Sequence, residues 1–378
     1  MKKGNGIIAA TKILKSVNPG LAKVFVPWLL KNPSYLKESF KLVKAFKKAE
    51  FLRKENLKKG ILVPPVLILS ITSTCNFRCS GCFATEVGTL GDVSGSLNKA
   101  DWESIIEQAR ELGVFCFLIA GGEPFMFPEL LSLNEKYSDS FFVIFSNGSL
   151  INDDKLSTLK HSKNTAVIIS IEGGKELTDR RRGKGSFDRA LLSLNNLSKQ
   201  GILNGISVTI TRENYKYWMG EENIDWFIQN GVRTAFLTEY IPVETSEDAP
   251  LYKQPLLNSE RKAFREKVLY YKKSKNIFII HSPGDEEAFG GCVSAGKGFA
   301  HVTPYGDLTP CPVSDIAMHN LKRDSLAEGL ASTLFKEIRD SEGILENTEG
   351  PCALFSHQEE LEALRKKLGA YKTGKTLL

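Results

Sequence analysis

No apolar run in this chain approaches the roughly 20 residues needed to cross a bilayer. The longest, Ile61 to Ile71, is broken by Pro64 and Pro65. Lys12 and Lys15 interrupt the stretch behind Lys2 and Lys3 where a signal-peptide core would lie. There is no low-complexity tract, no short repeat, no flavin motif and no nucleic-acid-binding motif. The seven cysteines are an odd number, which does not suit a disulfide framework. These absences lead us to expect a cytoplasmic protein whose thiols start out reduced. At 42% hydrophobic and 25% charged residues, the 378-residue chain is neither disordered nor fibrous and can bury a large core.

Positive charge is concentrated at one end. Residues 1–60 carry fifteen Lys or Arg against three Glu, a net +12 that leaves −6 on the remainder of a chain whose total is +6. This arm reads as helices punctuated by Pro19-Gly20, Pro27 and Pro33, with Ser34 as a candidate cap. Leu36, Phe40, Val43 and Phe46 share one side at helical spacing, and Lys37, Lys41, Lys44, Lys47 and Lys48 fill much of the rest. Two readings stay open. The arm is an amphipathic extension packed on the main domain, or an interfacial helix whose lysines meet anionic headgroups with Trp28 at the acyl boundary. The second would make the protein peripheral on the inner membrane face.

After Gly60, short apolar runs alternate with amphipathic ones. Candidate strands are Val66–Thr72, Val114–Ala120, Phe141–Ser146, Ala166–Ile171, Gly205–Thr211 and Thr234–Tyr240. Helical stretches such as Lys99–Leu112, Phe187–Gln200 and Glu222–Asn230 lie between them. Such repeats predict an α/β fold, a partial (β/α)6 barrel with an N-terminal helical arm and a small C-terminal β-hairpin/helix extension. The expected divisions are 1–60 for the arm, 61–280 for the barrel, 281–360 for the extension and 361–378 for a terminal helix and tail. In barrels of this kind, reactive groups sit in the loops after the strands.

The loop after the first strand reads Cys75-Asn76-Phe77-Arg78-Cys79-Ser80-Gly81-Cys82. Thiolates this close are soft metal ligands. A structural zinc site takes four ligands, and residues 70–90 offer no fourth Cys and no His. A cubane iron–sulfur cluster is normally held by four thiolates, so three leave one iron open to a small molecule. Cys116, between Phe115 and Phe117 in a candidate strand, reads as a small apolar core residue.

This C-x3-C-x2-C loop resembles the radical S-adenosylmethionine (SAM) superfamily. The resemblance implies a [4Fe–4S] cluster on Cys75, Cys79 and Cys82. Its open iron is chelated by the amino and carboxylate groups of SAM, and the 5′-deoxyadenosyl radical formed takes a hydrogen atom from substrate. The residue before the third cysteine is often aromatic in the family, near adenine. Here it is Gly81, with Phe83 after the cysteine as a substitute. Gly121-Gly122-Glu123-Pro124 resembles the segment that binds the methionine amino group. Ser146-Asn147, Ser170 with Glu172, Arg182, and Thr211-Arg212 resemble the later cofactor-contacting loops.

Cys292, Cys311 and Cys352 form a second set. Phe299–Thr303 reads as a strand and Pro304-Tyr305-Gly306-Asp307 as a hairpin turn, which folds Cys311 back toward Cys292. This resembles the auxiliary-cluster extension of the same superfamily, in its SPASM or twitch form. The compact group of four further cysteines of the long form is missing, so one auxiliary cluster is expected. Its fourth ligand is undetermined, with His357 and Asp315 as conceivable fillers. The leading expectation is a radical SAM oxidoreductase acting on an unactivated C–H bond of a substrate, and the basic arm suggests a lipid or prenyl metabolite. The alternatives are a maturase of a ribosomally made peptide and a non-catalytic iron–sulfur sensor. A low-potential ferredoxin or flavodoxin is the expected electron donor, and no nucleic acid partner is expected.

Overall fold

The computed structural model describes residues 19–86, 88–91, 93–242, 249–341, 343–346 and 350–373. The first eighteen residues of the arm, with Lys2, Lys3, Lys12 and Lys15, lie outside the described residues, as does the tail after Thr373.

Seven strands run parallel and pair in chain order: β1 (Val66–Ser70), β2 (Cys116–Ala120), β3 (Phe141–Ser146), β4 (Thr165–Ser170), β5 (Asn204–Ile210), β6 (Thr234–Glu239) and β7 (Phe278–Ser282). Helices connect them, and the sheet curls into a half-barrel. β4 is apolar and buried along nearly its whole length, as a parallel strand covered on both faces must be. The helix Lys99–Leu112 shows how local chemistry sets an element. Asn98 accepts from the amides of Ala100 and Asp101, Asp101 returns a carboxylate to the Asn98 amide, and Gly113 closes the end in the left-handed region at φ 108°. Its Trp102, Ile105, Ile106 and Ala109 are fully buried against the sheet.

The expected barrel is present, with two additions. β7 extends the sheet beyond the sixth strand. At the other edge, the predicted hairpin of β8 (Phe299–Val302) and β9 (Leu308–Thr309) is not a separate flap: β8 pairs in parallel with β1. β10 (Ile316–Ala317) and β11 (Tyr371–Lys372) form a small antiparallel pair after it.

The described part of the arm is two helices, Pro19–Lys31 and Tyr35–Lys58. Pro27 sits inside the first rather than ending it, on an exposed side. Ser34 has helical backbone angles and its side chain caps nothing; the turn is closed by the Tyr35 and Leu36 amides donating to the Asn32 and Pro33 carbonyls. The arm lies on the barrel. Arg53 Nη1 donates to the Gly113 carbonyl at 2.7 Å, Asn56 Nδ2 to the Leu112 carbonyl at 2.9 Å, and the Phe46 ring meets Phe115 edge-on at 5.4 Å. Within the half-buried stripe Leu36, Phe40, Val43, Phe46, Phe46 meets the barrel and Leu36 packs on Leu29 and Tyr35 of the arm itself, which favours the packed-extension reading. Among the described residues, no helix is long and apolar enough to cross a membrane.

A buried imidazole links the extension to the barrel. Thr309 Oγ1 donates to the Cys311 carbonyl at 3.1 Å, so it accepts from His301 Nδ1 at 2.8 Å; Nε2 then accepts from Ser70 Oγ at 2.8 Å. Burial pushes His301 down to about 3. An imidazole that is neutral when folded and titrates near 6.5 when unfolded costs stability as pH falls, because the unfolded chain then binds the extra proton. We predict that unfolding free energy, read from urea titrations, drops by about 1.4 kcal/mol per pH unit more steeply in the parent than in H301Q between about pH 6 and pH 4. Equal slopes would contradict this assignment.

Candidate functional site

The ends of the parallel strands converge on the loop after β1. It is fastened on three sides. From the β2 end, the amides of Gly122 and Glu123 donate to the Thr72 and Thr74 carbonyls, each at 2.8 Å. A Cβ on Gly122 would lie 1.9 Å from the Thr74 carbonyl oxygen, and one on Gly121, at φ 117°, 2.6 Å from that of Thr72. The glycine pair therefore serves close approach of the β2 end to the cysteine loop itself. From the β3 end, Asn147 Nδ2 donates to Asn76 Oδ1 at 2.9 Å, and Asn76 Nδ2 donates to Ser149 Oγ at 2.8 Å.

The third fastening is ionic. Helix Lys175–Arg182 follows β4, and its Arg181 is buried. Arg181 Nη1 reaches Glu172 Oε1 at 2.6 Å and Nη2 donates to the Gly81 carbonyl at 2.9 Å; the Arg181 carbonyl accepts from the Ser80 amide at 2.8 Å. Arg182 pairs with the same carboxylate oxygen at 2.6 Å. Glu172 is buried, and two guanidiniums neutralise it. The resemblance counts Glu172 among the cofactor-contacting residues; here Oε1 pairs with both arginines, and Oε2 accepts the Thr209 amide at 3.3 Å. Its evident work is to hold the helix that clamps the cysteine loop.

Cys75, Cys79 and Cys82 are half-buried and feel one another's charge. Desolvation raises Cys75 and Cys79; the nearby Glu123 adds to this at Cys75, while Arg182 opposes it at Cys79. Glu123 is buried at the β2 end. Oε1 accepts from Ser146 Oγ at 2.8 Å and the Phe125 amide at 3.1 Å, and Oε2 from the Asn147 amide at 2.8 Å. Burial raises its carboxyl above the ordinary range despite these bonds. Pro124 begins the short 3-10 turn that Glu123 caps.

The remaining expected residues divide. Ser146, Asn147, Ser170 and Thr211 end β3, β4 and β5 on the same rim. Arg212 points elsewhere: its Nη1 donates to Gln254 Oε1 at 2.8 Å and Nε lies 3.3 Å from Glu260, so its guanidinium is engaged away from the cysteine loop. Phe83 opens the one-turn helix Phe83–Glu86 and lines a cavity. Sequence reasoning missed Tyr240, just after β6. A Cβ at Gly81 would sit 3.3 Å from its ring, so this side chain covers the position where the resemblance anticipated an aromatic residue. It also missed Arg181, hidden in the run Arg180–Arg182.

The second trio is buried too. The Cys292 amide donates to the Leu345 carbonyl at 2.7 Å, Cys311 follows the β9 hairpin, and Cys352 precedes the helix Ala353–Ser356. Burial pushes Cys292 up to about 12 and Cys352 to about 11, and the three thiols feel each other. Such thiols are protonated until a metal displaces the protons. Cys116 opens β2 and is only partly buried rather than in the core as expected, though desolvation pushes its thiol up to about 12. Among the described residues, no three His, Cys, Asp or Glu side chains gather tightly enough for one metal ion. A cubane, in which each thiolate takes its own iron, suits both donor sets.

Residues 69–220 match the radical SAM superfamily, and residues 292–353 match an iron–sulfur cluster-binding domain, SPASM. The mycofactocin maturase MftC of Mycolicibacterium smegmatis is 27% identical over 80% of this chain and 78% of its own. The PqqA peptide cyclase of Gluconobacter oxydans is 24% identical over 78% of this chain and 84% of its own. In fold, the chain is similar to Streptococcus suis SuiB bound to the precursor peptide SuiA, with a TM-score of 0.62 and 21% identity over 81% of this chain and 71% of that one.

Removing Arg181 uncovers half of a buried ion pair and releases Gly81. R181M should lower unfolding free energy by about 3 kcal/mol and reduce the iron bound by the first trio after reconstitution. Calorimetry and iron analysis check this; unchanged stability and iron would refute the clamp.

Proposed function

We propose, from the premise that this chain is a radical SAM protein carrying a SPASM iron–sulfur domain, that it is an oxidoreductase maturing a ribosomally made peptide. Its cofactors are SAM and [4Fe–4S] clusters. When bound, the first cluster supplies the electron that cleaves SAM and so the radical that removes a hydrogen atom from an unactivated C–H bond. We assign Cys75, Cys79 and Cys82 as its ligands, and Cys292, Cys311 and Cys352 as ligands of one auxiliary cluster. The strand-end groups Glu123, Ser146, Asn147, Ser170 and Thr211 are our candidates for polar contacts to SAM, with Phe83 and Tyr240 for the adenine. Arg181, Arg182 and Glu172 hold the cysteine loop in register and set positive charge beside Cys79. A ferredoxin or flavodoxin of low potential delivers the electron.

One feature carries the substrate reading. A cavity of about 890 Å³ opens between the two cysteine regions, with Phe83 and Glu86 on one wall and Val313, Asp315, Leu354 and Phe355 on the other. Its walls are mostly apolar, and Glu359, Glu362, Lys366 and Lys372 give it charged groups of both signs. Such a cleft suits a peptide whose side chain enters between the clusters while its backbone and charged residues stay in water. MftC and the PqqA cyclase, which align over most of the chain, are a maturase and a peptide cyclase by name, and SuiB shares the fold while holding a precursor peptide. A lipid or prenyl substrate rested on the basic arm alone, and the described arm helices lie on the barrel.

The test is anaerobic incubation of reconstituted protein with SAM, reductant and short peptides encoded beside its gene, followed by mass spectrometry. The reading expects a peptide of altered mass and 5′-deoxyadenosine formed with it. 5′-Deoxyadenosine without peptide modification, or with modification of a metabolite from cell extract, would overturn it. No 5′-deoxyadenosine from protein with intact clusters would favour a sensor.

A further inference from the structure

The auxiliary region offers three thiols, and the fold brings the Glu286 carboxylate beside the first of them. Glu286 begins the single-turn 3-10 helix Glu286–Phe289 between β7 and Cys292. Its position is fixed by the backbone on both sides. The Asp285 amide donates to the His281 carbonyl at 2.8 Å, the Asp285 carboxylate accepts the His281 amide at 2.9 Å and pairs with Lys272, and the Glu286 amide donates to the Pro283 carbonyl at 2.8 Å. Gly290 and Gly291, at φ 76° and 132°, then reverse the chain, and the Gly291 amide returns to the Glu286 carbonyl at 3.1 Å. A Cβ on Gly291 would lie 2.1 Å from the Leu345 carbonyl oxygen. The reversal is therefore pressed against the segment that also receives the Cys292 amide.

As a result, Glu286 and Cys292 line one small cavity, of about 50 Å³, with Ala353, the neighbour of Cys352, on its wall; Glu346 also lines it, and the Glu239 and Glu287 carboxylates there pair with Arg261 and Arg265. Ser282 Oγ donates to Glu286 Oε1 at 3.3 Å, and the Cys292 thiol, which donates to Ser294 Oγ at 3.3 Å, lies on the same cavity wall as this carboxyl group. The charge of Glu286 reaches Cys292, Cys311 and Cys352 alike. The two fillers suggested by sequence are engaged elsewhere. Asp315 pairs with Lys372 at 3.4 Å, and His357 Nδ1 lies 2.9 Å from the Ala353 carbonyl.

We propose that Glu286 is the fourth ligand of the auxiliary cluster, bonded through a carboxylate oxygen to the iron that has no thiolate. This rests on the assignment of Cys292, Cys311 and Cys352 to such a cluster. The Fe–O bond forms as the carboxyl proton leaves for solvent, with no change in oxidation state. A carboxylate is a harder and poorer donor to cluster iron than a thiolate. That corner is consequently exchangeable in a way that a four-cysteine cluster is not.

The experiment uses the full chain with C75A, C79A and C82A, so that only the auxiliary cluster remains, reconstituted anaerobically and reduced for EPR. Isotope-labelled cyanide is the probe. The proposal expects cyanide to perturb the spectrum of the E286A form at a concentration about tenfold below that needed when Glu286 is present. It expects E286C to keep its iron and to resist cyanide more strongly than the parent. Iron lost in E286A and restored in E286C would also support ligation. Identical spectra and cyanide responses with Glu286 and with E286A would overturn it, as would iron lost from both E286A and E286C. No iron in the parent background would remove the auxiliary-cluster assignment itself, and the proposal with it.

Discussion

A buried carboxylate between two guanidiniums sets the geometry on which the first site depends. Glu172 would be intolerable alone in the interior, and Arg181 and Arg182 together offset its charge. Because Arg181 also grips Gly81, and its backbone carbonyl takes the Ser80 amide, the ion pair fixes the middle of the cysteine loop to the end of β4. The β2 and β3 ends hold the rest through Gly122, Glu123 and Asn147. Three thiols on one loop would otherwise be free to drift apart. A cluster held by only three protein ligands needs that rigidity more than one held by four.

The second cysteine set is tied to the first through the sheet. β8 adds to the free edge of β1, and the chain of bonds Ser70, His301, Thr309, Cys311 runs from the end of β1 into the extension. The large cavity lies where the two regions face each other. Its lining joins residues that follow both cysteine sets, Phe83 on one side and Val313 and Leu354 on the other, to the charged face of helix Gln358–Leu368.

The strands were largely legible because parallel strands covered on both faces are continuous apolar runs. Phe141–Ser146 and helix Lys99–Leu112 have the bounds that their residues suggest, the latter because Asn98, Asp101 and Gly113 punctuate it. β7 was not legible: Phe278-Ile-Ile-His-Ser is short, and its apolar character stops at His281. Nor was the pairing of β8 with β1, since nothing in a local pattern names a partner more than two hundred residues away. The cysteines announced themselves by spacing. Arg181 did not, because three consecutive arginines do not reveal which one turns inward. Glu286 did not, because a Gly-Gly reversal brings it back to the cavity that Cys292 lines.

The central claim is that one chain carries two separate clusters, each on its own thiol trio. Iron and acid-labile sulfide, measured on anaerobically reconstituted protein, address it most directly. The account predicts about eight irons per chain, falling to about four when Cys75, Cys79 and Cys82 are replaced and to about four when Cys292, Cys311 and Cys352 are replaced. A total near four that is unaffected by loss of the second trio would contradict it.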